Sequence, residues 1–412
     1  MRQEELTIEW LAKSGDGVAH AGGRTVFVEG ALPGERVRVT ISEVGRVLRG
    51  EVVSWLSQSP DRRAPACAVA DRCGGCDWLH VSEAVQHAQK LEIVLSALEH
   101  LGGFERAGLK VLPTVTGTQA LGYRRRAVLH PVGKALGFFG RGTHDKVEIA
   151  ACPAMTGPLQ PLPTLLAQAL GASVKELEQA HLLESGGKVA VSLHLRAAVK
   201  PKLREKAEAL SRAGIGVVLV PHEGHSESFG KVELQDGGVW MRPDAFAQAN
   251  AEVNAKLVGA AVEALDLSGA QAVLELYSGN GNFTVCIAPK AAQVLAVESS
   301  PISVALAQKA AAGLKNVRFV QGDALKILDG LGREGRTFDR ILVDPPRSGA
   351  PGLGRLAARL EPARLVYVAC DPAALARDAE DLFGQGFKPV SIQLFDLFPQ
   401  TRHIEAVLAM AR

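Results

Sequence analysis

The last third of the chain alternates short apolar runs with segments of helical period. The apolar runs lie at 272–277, 293–298, 317–321, 340–343, 364–369, 389–395 and 404–408, and helical patterns separate most of them. Strands that alternate with helices predict a doubly wound, mostly parallel sheet. We expect the last two strands to form an antiparallel hairpin, within a Rossmann-like domain over 246–412.

The N-terminal segment has the period of a β-structure instead. Leu6, Ile8 and Trp10 alternate with polar residues, and further alternating runs follow the glycine turns up to residue 57. Several short strands at this spacing predict a small barrel of the OB type over 1–58. An RNA-binding barrel and a generic packing module both fit this pattern.

The middle of the chain, 59–245, mixes both periods and predicts an α+β domain. Apolar residues fall near a 3.6-residue period over 83–101, which predicts a helix, and a second helix is expected near 203–212. Strands are expected at 189–195 and 215–220.

Composition narrows the class of protein. Of 412 residues, 47% are hydrophobic and 22% are charged, as in folded globular proteins, and the net charge of +2 leaves only local patches for nucleic acid. The chain has no apolar run long enough to span a membrane, and its first ten residues do not form a signal peptide. We therefore expect a cytoplasmic protein without a membrane partner, and a monomer.

A glycine loop after the first strand of the C-terminal domain predicts a cofactor cradle. Gly279-Asn280-Gly281 lies between a strand and a helix, and Glu298 ends the next strand 19 residues later, where acids bind ribose hydroxyls. Asp323, at the end of the following strand, could reach an adenine amine. The third glycine of the dinucleotide fingerprint is absent, which favours S-adenosylmethionine over NAD.

Two strand ends carry candidate chemistry. Asp344-Pro345-Pro346 ends one strand, and such a wall accepts an amine in amino-methyltransferases. Cys370 ends the next strand, where a thiolate could attack C6 of a pyrimidine and make C5 nucleophilic. Glu405 then fits the base that removes the C5 proton, and His403 is the competing candidate.

Four cysteines form a possible metal centre. Cys67, Cys73 and Cys76 are closely spaced with glycines between them, and Cys152 lies far along the chain. Four thiolates suit zinc or an iron–sulfur cluster, and this spacing favours the cluster without settling it. Cys286 fits a packing role inside a helix.

A basic run interleaved with aromatic residues begins at Arg124-Arg125-Arg126. Lys134, Arg141 and Lys146 follow, with Tyr123, Phe138 and Phe139 among them. Mixed basic and aromatic side chains suit single-stranded RNA, and we predict that the three arginines bind RNA phosphate.

Read together, the cysteine set, the glycine loop, Asp344-Pro345-Pro346-Arg347, Cys370-Asp371-Pro372 and 398–405 resemble the RNA 5-methyluridine methyltransferase family. The resemblance covers nearly the whole chain and is strongest to the bacterial 23S ribosomal RNA branch. It implies a TRAM domain over the barrel, a central domain carrying a [4Fe-4S] cluster, and a catalytic domain on which about 80–110 would pack.

The resemblance also assigns residues. It implies that the cluster ligands are Cys67, Cys73, Cys76 and Cys152. It implies that S-adenosylmethionine is bound by Gln248, Tyr277, Asn282, Glu298, Asp323 and Asp344. It implies Cys370 as the nucleophile and Glu405 as the base.

Two positions depart from the family pattern. Asp371 stands where the family often has Asn, and Gln400 stands where it often has His. Both concern supporting positions, so they bear on rate or substrate detail more than on the type of reaction.

The sequence thus predicts a uridine C5 methyltransferase acting on 23S ribosomal RNA, with the target base flipped out of its stack to reach Cys370. Two alternatives stay open. One is the same chemistry on transfer RNA, and the other is an RNA-binding protein that uses a methyltransferase scaffold without catalysis.

Overall fold

A curled six-stranded sheet forms the N-terminal part of the computed structural model, which describes residues 2–12 and 14–412. The strands are β1 (Arg2–Thr7), β2 (Trp10–Leu11), β3 (Gly17–Ala21), β4 (Arg24–Val28), β5 (Arg36–Val44) and β6 (Val47–Ser57). They lie in the order β1-β5-β6-β4-β3-β2. Their alternating residues, among them Val26, Val37 and Val39, fill one buried core. The predicted N-terminal β-module is confirmed.

The next segment leaves the N-terminal sheet and joins the C-terminal domain. It contains helix α1 (Glu83–His100) and strand β7 (Lys110–Val115). Val94 and Leu98 of α1 share one apolar core with Tyr367 and Leu408 of the C-terminal sheet, and β7 pairs in parallel with that sheet's last strand but one. Residues 83–115 therefore form part of the C-terminal domain's packing.

The central part is a seven-stranded mixed sheet covered on one face by helices. Its strands and helices are β8 (Arg126–Val132), β9 (Ala135–Phe139), β10 (Lys146–Glu148), α2 (Leu162–Leu170), β11 (Leu177–Ser185), β12 (Lys188–Leu195), α3 (Pro201–Arg212), β13 (Ile215–Val220) and β14 (Glu227–Phe229). Leu166 of α2 and Leu210 of α3 pack against Leu182 and Val191 of the sheet. A short hairpin, β15 (Leu234–Asp236) and β16 (Val239–Met241), leads into the next domain. This is the expected α+β arrangement.

The C-terminal part is a doubly wound sheet, as predicted. Its elements are α4 (Ala251–Ala264), β17 (Ala272–Leu276), α5 (Thr284–Ile287), β18 (Gln293–Glu298), α6 (Pro301–Ala310), β19 (Val317–Gln321), α7 (Ala324–Arg333), β20 (Arg340–Val343), α8 (Leu353–Ala358), β21 (Arg364–Ala369), α9 (Pro372–Gly384), β22 (Lys388–Phe395) and β23 (Glu405–Ala411). The strand order is β19-β18-β17-β20-β21-β23-β22-β7, parallel through β21 and antiparallel where β23 enters.

This topology places the candidate site. The order reverses beside β17, because β18 follows it on one side and β20 lies on the other, and ligands bind at the carboxyl ends of strands at such a reversal. β23 runs against its neighbours, so its first residue, Glu405, arrives at the same edge where the parallel strands end. Within the described residues, we find no helix that is both long and apolar enough to cross a membrane.

Candidate active site

A cleft of about 1150 Å³ opens at the carboxyl edge of the C-terminal sheet. Most of the residues that the sequence singled out for this domain meet there. The lining includes Gln248, Tyr277, Asn282, Glu298, Asp344, Cys370, His403 and Glu405.

The glycine loop forms one wall of the cleft. Tyr277, Gly279 and Gly281 all have positive φ values, of 62°, 56° and 86°. A Cβ on Gly281 would lie 3.3 Å from Ala307, so glycine lets the loop approach α6, whereas a Cβ on Gly279 would meet no atom within 4 Å. The loop is tight towards the protein and open towards the cleft, which fits a ligand cradle.

Glu298 is held rigidly at the rim of this cradle. Its Oε2 accepts a hydrogen bond from the Gly279 N–H at 3.0 Å, and its Oε1 accepts one from the Ser300 N–H at 2.7 Å. Charge-assisted bonds of this kind fix the carboxylate's orientation. Its position at the end of β18 fits the predicted binding of ribose hydroxyls.

Two amides are paired at the floor of the cradle. Asn254 of α4 and Asn282 exchange two hydrogen bonds, each 3.0 Å long, between their side-chain amides. No signal in the sequence marks Asn254, because its partner lies 28 residues away. Gln248 also lines the cleft, and its carbonyl accepts from Arg125 Nε at 2.9 Å.

Asp323 lies apart from the other predicted cofactor residues. It is exposed, it is not among the residues that line the cleft, and its Oδ1 caps α7 by accepting from the Lys326 N–H at 2.9 Å. Its charge nonetheless helps to raise the pKa of Tyr277, second to burial, so the two side chains are near each other. Its contact with adenine stays a prediction.

Cys370 and Glu405 face each other across neighbouring strands. Ala369 pairs with Ala406 in the antiparallel register of β21 and β23, so Cys370 and Glu405 stand one position further along the ladder. Residues opposite each other in such a ladder have Cβ atoms about 5 Å apart and point to the same face. A thiol and a carboxyl group from distant parts of the sequence are thus brought to one spot.

Burial and mutual repulsion raise the pKa values of the acids in this half of the cleft. Burial, with the Glu405 and Asp344 charges, raises the pKa of the Cys370 thiol to about 12. Burial raises the pKa of Asp344 to about 7 and, together with Asp344, holds the pKa of Glu405 well above its ordinary value. Perturbed acids that converge in one cleft are typical of catalytic sites.

Arg347 is the cation that opposes these shifts. It lines the cleft, and its charge acts to lower the pKa of both Cys370 and Glu405. Its Nη2 lies 3.2 Å from His403 Nδ1. The sequence predicted no role for Arg347, although it directly follows Asp344-Pro345-Pro346.

His403 is poorly suited to the role of proton acceptor for which it competed. Burial and the Arg347 charge lower the pKa of its imidazole to about 4. Its ring also packs edge-on against Phe398, with centroids 5.6 Å apart. These contacts fit a ring that supports the cleft wall.

The four cysteines of the predicted metal centre line one small cavity. Its volume is about 60 Å³, and its walls include Cys67, Cys73, Cys76, Cys152 and Arg124. Burial raises the pKa of Cys76 to about 12, and the Arg124 charge acts in the opposite direction. Among residues 2–12 and 14–412, no group of three or more His, Cys, Asp or Glu side chains is arranged to hold a metal ion. The cluster therefore stays a prediction.

The predicted binding of RNA phosphate by Arg124-Arg125-Arg126 stays a prediction, and two of the three arginines have partners inside the protein. Arg124 faces the cysteine cavity, and Arg125 is only 5% exposed and paired with Asp236 and the Gln248 carbonyl. Isolated β-bridges join the backbone of Arg124 to Met155 and to Asn250, so the run lies where the central and C-terminal domains meet. Cys286, expected to be a packing residue, is instead exposed and lines the cleft.

The two departures from the family pattern have clear local roles. Asp371 caps α9, because its Oδ1 accepts from the N–H groups of Ala373 and Ala374 at 2.9 and 3.0 Å, which an Asn oxygen could also do. Gln400 is buried with φ of 66° and exchanges hydrogen bonds with Gln86. Neither side chain lines the cleft.

Known proteins match both ends of the chain and its full length. A family model for tRNA (Uracil-5-)-methyltransferase matches residues 232–412, and a TRAM domain matches residues 2–53. The 23S rRNA (uracil(1939)-C(5))-methyltransferase RlmD of Edwardsiella ictaluri is 35% identical, over 98% of this chain and 94% of the relative. The protein of the same description from Cronobacter sakazakii is 32% identical, over 99% of this chain and 96% of the relative.

A solved structure shares the whole fold. The tRNA (uracil-54, C5)-methyltransferase of Pyrococcus abyssi, in complex with S-adenosyl-L-homocysteine, superposes with a TM-score of 0.74 at 22% identity, covering 99% of this chain and all of the other. At that identity the likeness shows the fold. The full-length match to relatives above 30% identity shows more: this chain belongs to the RNA uracil-C5 methyltransferase family.

Proposed function

We propose that this chain transfers a methyl group from S-adenosylmethionine to C5 of a uridine in 23S ribosomal RNA. The observation that carries the proposal is the pairing of Cys370 with Glu405 across β21 and β23, at the mouth of a cofactor-sized cleft. The full-length relatives from Edwardsiella ictaluri and Cronobacter sakazakii, both described as 23S rRNA methyltransferases, support ribosomal RNA as the substrate.

S-adenosylmethionine, when bound, supplies the methyl group. Glu298 would hold the ribose hydroxyls, and the glycine loop would pass beneath the nucleoside. Tyr277, Asn282, Gln248, Asp344 and, with less structural support, Asp323 complete the proposed set. The open side of Gly279 and the fixed Glu298 carboxylate both suit this ligand.

Cys370 and Glu405 have separate tasks in the reaction. The Cys370 sulfur adds to uracil C6, and the displaced electron pair makes C5 nucleophilic enough to accept the methyl group. The C5 proton must then leave, and the Glu405 carboxylate accepts it while the C6–sulfur bond breaks and the thiolate departs. The product is 5-methyluridine, and the enzyme regains its free thiol.

The target uridine must leave its stack to reach this thiol. Cys370 is partly buried in the cleft, where a base within a duplex could not contact it. Flipping of the target base is therefore part of the proposal. We also propose that the chain acts as a monomer in the cytoplasm.

The four cysteines would hold a [4Fe-4S] cluster. They line one cavity, they are all free thiols, and Arg124 beside them would offset the negative charge that thiolates bring. This centre is separate from the cleft, so we assign it no chemical step.

Two variants test the division of tasks. Cys370→Ala should abolish methyl transfer, by about 10⁴-fold or more, and should form no covalent complex, because C5 is never activated. Glu405→Gln should still attack and methylate but then stall as a denaturation-resistant adduct. Cys286→Ala, which removes an exposed thiol from the same cleft, is the matched control and should behave like the unmodified protein.

The assay is a denaturing gel with labelled methyl donor, run separately on unmethylated ribosomal RNA and on transfer RNA. Retained activity in Cys370→Ala would favour amine chemistry at Asp344-Pro345-Pro346. Methylation of transfer RNA alone would show that the substrate is transfer RNA and not ribosomal RNA. Bound cofactor without transfer to either RNA would favour the non-catalytic alternative.

A further inference from the structure

The segment 396–404, here called the base loop, connects β22 to β23 and ends at Glu405. Two of its side chains, Phe398 and His403, line the cleft. Because Glu405 is the first residue of β23, the direction of its carboxyl group depends on how this loop is held.

A buried ion pair with α1 fastens the start of the loop. Lys90 Nζ donates to Asp396 Oδ1 at 2.7 Å and to the Phe398 carbonyl at 3.0 Å. The Lys90 and Asp396 side chains are 0% and 2% exposed. One ammonium group therefore binds two points of the base loop from a helix about 300 residues earlier in the chain.

The other oxygen of Asp396 is also engaged. His87 Nε2 lies 2.9 Å from Asp396 Oδ2. Burial acts to raise the pKa of Asp396, but His87 and Lys90 outweigh it and hold that pKa below its ordinary value. The carboxylate stays ionised and is held by a partner on each oxygen.

A second link from the same face of α1 reaches the middle of the loop. Gln86 Nε2 donates to Gln400 Oε1 at 3.0 Å, and Gln86 Oε1 accepts from the Gln400 N–H at 2.9 Å. Gln86 and Lys90 are four residues apart, one helical turn, so they face the loop together. Gln400 is held with φ of 66°, a left-handed backbone conformation that residues other than glycine adopt only when the surrounding contacts hold them there.

The need to hold α1 against the base loop does not by itself explain a buried ion pair between Lys90 and Asp396. Two apolar side chains of similar volume often stabilise a buried junction as well as an ion pair does. What an ammonium group adds is direction, because it sets both the Asp396 side chain and the Phe398 backbone. The helix that supplies it lies outside residues 232–412, the part matched by the methyltransferase family.

We propose that Lys90 is a positioning residue for Glu405, and that its bonds to Asp396 and Phe398 hold the base loop so that the Glu405 carboxyl faces the C5 proton of the adduct. The proposal rests on the proposed function, in which Glu405 removes that proton. A loosened loop should slow proton removal far more than methyl transfer, because transfer depends on Cys370 and the cofactor cradle.

The test uses Lys90→Met, which keeps the length of the side chain and removes its charge. Arg204→Met is the matched control, since it breaks an exposed ion pair with Glu227 in the central domain.

In single-turnover experiments with labelled methyl donor, Lys90→Met should slow release of the adduct by about 10- to 100-fold, the cost expected of a misplacement near 1 Å. The rate of methyl transfer should change less than about twofold, and affinity for S-adenosylmethionine should stay the same. An equal loss in both steps, or no accumulation of adduct, would overturn the proposal.

A second measurement separates this proposal from the role of Glu405. Amide hydrogen exchange of 396–404 should quicken in Lys90→Met and stay unchanged in Arg204→Met. If Glu405→Gln traps no adduct in the same assay, the base assignment fails and the exchange data alone decide whether Lys90 holds the loop. Unchanged exchange overturns the positioning role in either case.

A milder variant covers the case in which Lys90→Met does not fold. His87→Ala removes one contact to Asp396 from a side chain that is already 24% exposed. It should shift both readouts in the same direction by a smaller amount. If His87→Ala folds and shifts neither readout, the Asp396 anchor does not position the base.

Discussion

The two halves of the cleft are built in different ways. In the cofactor half, Glu298 bonds to Gly279 across 19 residues of sequence. In the catalytic half, the loop before Glu405 is held by Lys90 and Gln86, across 306 and 314 residues. One half is a local strand–loop–helix–strand unit, and the other is assembled from three distant segments.

The difference shows what each half demands of the fold. A nucleoside needs a groove and an acid, and a single βαβ unit supplies both. Moving a proton at one carbon of a bound base requires a carboxyl group held to within a fraction of an ångström. The loop before Glu405 is held by α1, a helix that packs on the C-terminal sheet but lies outside residues 232–412 of the chain.

The largest effect expected is the loss of the cysteine centre. Cys76 is two residues before Trp78, whose backbone N–H donates to the Gln400 carbonyl at 2.9 Å, and Arg124 follows Tyr123, whose hydroxyl donates to the Pro399 carbonyl at 3.0 Å. Anaerobically purified protein should be brown, and Cys76→Ser should lose all cluster absorption. Methyl transfer should fall with it, whereas affinity for S-adenosylmethionine should not change. Colourless protein with stoichiometric zinc would refute the cluster.

The same contrast explains how far the sequence alone could predict the site. Seven of the eight strands of the C-terminal sheet were predicted within a few residues, because buried parallel strands are short apolar runs with helices between them, and only β7, which comes from far earlier in the chain, was not predicted. Cys370, Glu298 and the glycine loop were singled out because strand ends in this fold carry the chemistry, and all of them line the cleft. Glu405 was predicted as the base because it opens the last strand, and that role stays a prediction.

What the sequence did not predict comes from contacts between distant segments. Lys90 follows the polar pattern of an ordinary helix, and nothing near it in sequence marks it as buried. The position of Arg124 beside the cysteine cavity was not predicted either, because charge in a sequence does not show which side chains face inward. Asn254 and Gln400 likewise have roles that only their partners, 28 and 314 residues away, make visible.

Glu298→Ala should damage the cofactor half alone. It removes the proposed ribose ligand and leaves the Gly279 and Ser300 N–H groups without their acceptor. Losing charge-assisted hydrogen bonds worth about 1.5–3 kcal/mol should weaken binding of S-adenosylmethionine by roughly 10- to 100-fold. Calorimetric titration measures this, with Asp329→Ala, a partly exposed acid of α7 that pairs with Arg359 and does not line the cleft, as the control.

In the catalytic half, Glu298→Ala should leave covalent capture of RNA by Cys370 intact when cofactor is absent. A loss of capture equal to the loss of cofactor affinity would show that the two halves are not independent, and the comparison would fail.

Alkylation of Cys370 should report the electrostatics of the catalytic half. Burial, then Glu405, raises the pKa of its thiol to about 12, so the thiolate fraction should rise about tenfold per pH unit between pH 7 and 10. Glu405→Gln removes one raising charge and should speed alkylation by about three- to tenfold at fixed pH. Mass spectrometry after iodoacetamide treatment measures both, in a Cys286→Ala background that removes the exposed thiol. A rate independent of pH would show that access, and not ionisation, limits the thiol.

The effect expected to be smallest on catalysis concerns stability and tests the support beneath the cofactor half. Glu275, in β17, is fully buried and its Oε2 accepts from the Thr284 hydroxyl at 2.6 Å. Burial raises the pKa of Glu275 to about 8 in the folded protein, from 4.5 for an unperturbed group. Because the folded pKa is the higher one, folding costs nothing extra below pH 4.5, and stability falls as the pH rises towards 8 and the unfolded chain ionises first.

Glu275→Gln abolishes this cost, so it should unfold at the same denaturant concentration as the unmodified protein at pH 4.5 and at a higher one at pH 8. The gain should be a few kcal/mol at most, since each unit of pKa difference is worth about 1.4 kcal/mol. Glu263→Gln, at an exposed position on α4, serves as the control, and because it retains Glu275 it should unfold like the unmodified protein at both pH values. Equal stability of Glu275→Gln and the unmodified protein at pH 8 would mean that the buried carboxyl group finds enough compensation in Thr284 to ionise in place.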